Sequence, residues 1–125
     1  VFNNNVYSGA TTPQPFLAPG DINGVMLYDF RTGQVTEPYV SLLAEAKPLT
    51  KSAGRARILP DGGLFVEDTN FGRHLRFSRD RLMWSRVNDY DATRIGLVSW
   101  SRYLTSEEAA GPLKALADLK CQASS

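Results

Sequence analysis

The chain has 125 residues, 42% hydrophobic and 22% charged, which suffices for one small domain with its own core. A formal net charge of +1, with no block of Lys and Arg, gives no electrostatic reason to expect nucleic acid or an anionic membrane as a partner. No apolar run approaches the roughly 20 residues that span a bilayer.

The chain opens on Val1 with no charged leader and apolar stretch, so a processed chain or a fragment is expected. VFNNN starts as a short strand. Residues 8–20 (SGATTPQPFLAPG) hold three prolines, which exclude a helix or an inner strand and predict a long surface loop. Such loops read first as surface excursions and second as lids over a site. Residues 25–30 (VMLYDF) predict a strand, RTG a turn and residues 34–36 the return. Within residues 37–47, LLAEA fits one helical turn or a loop.

Residues 55–87 carry the clearest pattern. Four short apolar runs (RARIL, LFVED, RHLRF and RLMWSRV) alternate with the turn segments PDGG, TNFG and SRD. This spacing predicts a four-stranded antiparallel meander. PDGG supplies proline for the corner and glycine for positive φ. Residues 96–104 (GLVSWSRYL) predict one more strand. Thr105 and Glu108 stand at capping-box spacing, and Pro112 suits the first turn of a second short helix over residues 113–120, with Leu113, Leu116 and Leu119 on one side.

A four-stranded meander leaves two edges unpaired and two faces to cover. Radial repetition, as in propellers, is one solution. The 25–36 hairpin repeats the phrase of apolar strand, Asp, turn Gly and strand, which suggests a second copy. The expected fold is therefore all-β: antiparallel four-stranded meander blades of a partial β-propeller, about two of them, over residues 1–104, with a short C-terminal helix in a tail over residues 105–125.

The segment ILPDGGLFVEDTNFGRHLRF, followed by RLMWSRVND, resembles a blade of the bacterial arylsulfotransferase family. The family phrase is carried by Leu59, Pro60, Asp61, Gly62, Gly63, Gly72, Arg73 and Trp84. VFNNN resembles the family's Phe-Asp/Asn-Asn-Gly strand, with Asn5 where Gly is usual, and GLVSWSRYL resembles its C-terminal closing segment. The resemblance implies transfer of a sulfuryl group between phenolic compounds through a covalent histidine, without cofactor or metal, in a periplasmic or secreted protein. The implied partners are a phenolic or sulfated small molecule and the remaining blades of the parent chain. In the family the nucleophile lies shortly before the Phe-Asp-Asn-Gly strand, so its position falls upstream of Val1, and no catalytic residue is expected within this chain. A non-catalytic propeller that binds a ligand or protein is the alternative.

Asn3 and Asn4 are the candidate substrate-binding residues: they line the pocket in the family pattern, or they simply end a strand. His74, the single histidine, reads as a structural or surface residue on the polar side of a strand. Arg55 and Arg57 share a strand face, whereas Arg73 goes with Leu75 and not with Arg76, so the four arginines are not expected to converge. Residues 88–91 (NDYD) lack calcium-loop spacing and predict a turn. Trp84 and Trp100 read as core anchors. Cys121 reads as a free thiol in a frayed tail or as half of a disulfide to a cysteine elsewhere.

Overall fold

The computed structural model describes residues 2–3, 23–50 and 53–119. Over them the protein is mostly antiparallel β-sheet with two helices. The expected loop 8–20, Asn4 and Cys121 lie outside the described residues.

Strand β1 (Phe2–Asn3) pairs antiparallel with β2 (Gly24–Val25). Strands β3 (Leu27–Tyr28) and β4 (Val35–Thr36) form the expected hairpin. Its turn closes through Gly33 N–H to the Asp29 carbonyl at 2.8 Å, with Gly33 at φ +71°. Helix α1 (Val40–Ala46) resolves the LLAEA segment in favour of a helix. It ends at Lys47 in the left-handed conformation, and Pro48 follows, which cannot continue a helix.

The meander stands where the spacing put it. Strands β5 (Arg55–Ile58), β6 (Leu64–Asp68), β7 (Arg73–Phe77) and β8 (Leu82–Val87) form one antiparallel sheet in chain order. At the first corner Pro60 and Asp61 lead into Gly62 at φ +78°, and Gly62 N–H donates to the Leu59 carbonyl at 2.8 Å. This is the three-residue hairpin loop that wants glycine in its left-handed position. Asp61 Oδ1 also accepts from Gly63 N–H at 2.9 Å. Gly72, at φ +58°, ends the 3-10 turn over Thr69–Phe71, and a Cβ there would collide with the Gly96 carbonyl. Between β7 and β8 the register slips: Arg76 faces Trp84 and Phe77 faces Leu82, leaving Met83 as an extra residue in the edge strand.

Because the sheet alternates sides, its register fixes the core. Leu64, Val66, Leu75 and Phe77 share one face, all at 1% exposure or less. Tyr39 and Leu43 from the α1 segment and Val25 from β2 cover them. The Tyr39 hydroxyl donates to the Gly62 carbonyl at 3.0 Å, pinning the start of α1 to the first corner. Buried Asn23 clamps residue 50 from both sides, its Oδ1 accepting from Thr50 N–H at 2.6 Å and its Nδ2 donating to the Thr50 carbonyl at 3.2 Å.

Several expectations are corrected. NDYD is not a turn: Asp89–Asp91 is strand β9, paired with β10 (Arg94–Ile95), and the Asp91 carboxylate closes the hairpin by accepting from the N–H groups of Thr93 and Arg94, each at 2.9 Å. Residues 96–104 form no strand, because side chains of the main sheet, not another strand, take the polar groups of Ser101 and Tyr103. Two short helices merge into one, α2 (Ser106–Asp118), with Pro112 inside it. The capping box at Thr105 is formed as expected. Leu113 and Leu116 are each 62% exposed, so their shared side is largely open among the described residues. Trp84 and Trp100 are not core anchors, being 41% and 79% exposed.

Leu43 joins α1 to the sheet. Leu43→Ala is expected to cost roughly 2–5 kcal/mol. Chemical denaturation followed by circular dichroism measures this, and a loss below about 1 kcal/mol would mean that α1 is not seated on the sheet.

Candidate functional site

The second face of the sheet is built from two cross-strand rows. One runs Arg55, Glu67, His74 and Arg86; the other runs Arg57, Phe65, Arg76 and Trp84. The expectation that the arginines do not converge is therefore corrected. Arg55, Arg57 and Arg76 share this face, and only Arg73 lies on the other, where it pairs with buried Asp68 at 2.7 Å and donates to the Lys47 carbonyl at 3.0 Å. The odd spacing within β7 does separate Arg73 from Arg76, but the register brings Arg76 to the side of Arg55 and Arg57.

Residues 97–105 cross this face as a strap. Glu67, 1% exposed, is its anchor. One carboxylate oxygen accepts the backbone N–H of Ser101, and the other accepts the Thr69 hydroxyl at 3.2 Å. His74, opposite Glu67 across the β6–β7 hairpin, has its Nε2 within 2.6 Å of Ser101 Oγ. Its ring stacks on Phe65 at 5.7 Å, and Tyr103 packs against Phe65 from the strap at 5.5 Å. His74 thus has a structural position, half-buried and locked between strand and strap. Sequence reasoning placed it on a strand's polar side but did not find Ser101 or Glu67 as its neighbours.

Arg57 fastens the far end of the strap. Its guanidinium donates to the Tyr103 carbonyl at 2.6 Å and to Glu108 Oε1 at 2.7 Å. Glu108 also accepts the Thr105 N–H through Oε2 at 2.8 Å, completing the capping box of α2. Hydrogen bonds from Arg57, first, and from the Thr105 N–H hold the Glu108 carboxyl down at about 2, from an ordinary 4.5. Arg76 lies deeper, paired with Asp61 at 2.5 Å, and its Nη1 has no hydrogen-bond partner among the described residues.

Between strap, helix and sheet lies an open cavity of about 770 Å³. Arg55, Arg57 and Arg102 supply its cationic wall, Glu108 its carboxylate, and Phe65, Tyr103 and Leu104 much of its apolar lining. Among the described residues, no group of His, Cys, Asp and Glu is arranged to hold a metal ion. Of the two candidate substrate-binding residues, Asn3 stands in β1 opposite Gly24, and Asn4 lies outside the described residues.

Two tests follow from the latch. Glu67→Ala leaves the Ser101 N–H without its acceptor and is expected to cost roughly 1–3 kcal/mol. Limited proteolysis is expected to cut first within residues 97–105, and an unchanged cleavage pattern would separate the strap from Glu67. The second concerns acid. Because the folded carboxyl of Glu108 sits below its ordinary value, its stabilisation is complete above about 4.5 and is lost as pH falls towards about 2. Carboxyl chemical shifts are expected to titrate near 2 in the wild type and to move up towards the ordinary value in Arg57→Ala, where the Thr105 N–H still holds the carboxyl below it. The same titration curve in both proteins would contradict the Arg57 contact.

Compared with family models, with curated proteins and with solved structures, the chain gives no match.

Proposed function

We propose that this chain is the C-terminal portion of an arylsulfotransferase-like β-propeller. In this reading residues 55–87 are one blade, residues 24–36 belong to another, and the chain closes the propeller and shapes one wall of its pocket. The observation that carries the reading is the coincidence of the family phrase with the strand plan. Leu59 to Gly63 make the first corner, Gly72 and Arg73 open β7, and Trp84 stands on the outer strand β8. The edge strand supports it too: every residue of β8 is exposed, with Leu82 and Val87 on one face and Trp84 on the other, apolar surface suited to neighbouring blades.

The reaction would run through a histidine upstream of Val1. Its neutral imidazole nitrogen attacks sulfur, the bond from sulfur to the phenolic oxygen breaks, and the phenolate leaves. The oxygen of a second phenol then attacks the sulfated histidine, the N–S bond breaks, and the acceptor's proton departs to a base. Cationic and hydrogen-bonding side chains must hold the sulfuryl oxygens as charge shifts between them. His74 takes no part, since Phe65 and Ser101 hold it on the face of the blade. The parent protein would be periplasmic or secreted, with phenolic and sulfated small molecules as its partners.

The parent gene upstream of Val1 provides the test. The longer protein is expected to encode further blades and a histidine close before Phe2, to release 4-nitrophenol from 4-nitrophenyl sulfate when phenol is present, and to carry a sulfated histidine detectable by mass spectrometry. The 125-residue chain alone is expected to be inactive. Upstream blades without that histidine would replace the enzyme by a binding propeller, and no blades at all would end both readings.

A further inference from the structure

The cavity beneath the strap has two cations that the fold does not use. Arg57 is consumed by Glu108 and the Tyr103 carbonyl. Arg55 and Arg102 line the same cavity, and neither has a carboxylate partner among the described residues. Arg55 is nonetheless held in place, its guanidinium lying 3.7 Å from the centre of the Trp100 ring. Stacking of this kind orients the flat head and leaves its edge N–H groups free to donate.

Trp100 is itself the anomaly. Its φ of +61° is a conformation that a bulky side chain adopts only at a cost, and with 79% of it exposed, burial does not repay that cost. What the position achieves is to place an aromatic face under Arg55. Besides the cations the cavity is lined by Leu104, Pro112, Phe65 and Tyr103. At about 770 Å³ it falls within the range of small-molecule sites.

We propose that this cavity binds a small amphipathic organic anion. The oxyanion head takes hydrogen bonds from Arg55 and Arg102, and the apolar body lies over Leu104, Pro112 and Tyr103. Trp100 is a positioning residue that acts through Arg55. The site is independent of the sulfuryl-transfer reading: it lies on the sheet face, and its test involves no transfer.

The probe is 2-naphthoate, titrated into the full chain by isothermal calorimetry beside two controls, acetate, which has the head without the body, and 2-naphthalenemethanol, which has the body without the charge. Only 2-naphthoate is expected to bind. Arg55→Ala and Arg102→Ala are each expected to weaken it roughly tenfold or more. Arg86→Ala, an exposed arginine on the same sheet face that does not line the cavity, is expected to leave it unchanged. Trp100→Gly separates structure from binding: it relieves the positive φ, so the melting temperature is expected to hold or rise while affinity falls. Equal binding of the neutral alcohol, full affinity in Arg55→Ala or Arg102→Ala, or no binding of 2-naphthoate up to its solubility limit would each overturn the proposal.

Discussion

A β-sheet has two faces, and in this protein the register of four strands assigns them opposite chemistry. Leu64, Val66, Leu75 and Phe77 fall on one side, while Glu67, His74, Phe65 and Arg76 fall on the other. The first side obeys the ordinary hydrophobic rule and needs only a helix and a short strand to cover it. The second cannot be covered that way, because a buried carboxylate must find donors or be neutralised. The chain meets this demand with a strap whose own backbone supplies them. The Ser101 N–H goes to Glu67, while the Tyr103 carbonyl goes to Arg57, so a segment without strand partners is still satisfied.

The same demand fixes what lies beyond the strap. Arg57 ties sheet, strap and helix at one point, since Glu108 serves both as its ion-pair partner and as the reciprocal half of the α2 cap. Exposed pairs of this kind contribute little alone. Here the ion pair's value lies in geometry, because it sets where α2 starts and so where the cavity wall stands. The cationic character of that wall is what remains after the fold has used the charges it needs.

The meander was legible from residues 55–87 because each turn carries a chemical signature: proline and a left-handed glycine at the first corner, and Gly72 at the second. The polar face was not legible. Parity within a strand shows that Arg55 joins Arg57, but placing Arg76 beside them requires the cross-strand register, which depends on how many residues each turn consumes. Residues 96–104 read as a strand because alternation reports a half-buried extended segment, whether its polar groups meet a neighbouring strand or side chains. Pro112 read as a helix start because proline fits the first turn best, yet α2 already runs from Ser106 and tolerates it inside. The Asn and Asp residues of NDYD do carry turn chemistry, but it acts one step later in the chain. The Asp91 carboxylate caps the turn that follows it, and the residues leading up to it are strand.

The cavity and the latch at Glu67 both require the strap to be part of the fold and not a loose tail laid on it. Amide hydrogen exchange at Ser101, read against the β6–β7 amides of Val66 and Leu75, tests this most directly. Protection of Ser101 comparable to that of the central strands is the expected result. Exchange at the rate of an unstructured peptide, with the sheet still protected, would contradict the latch at Glu67 and remove the wall of the cavity with it.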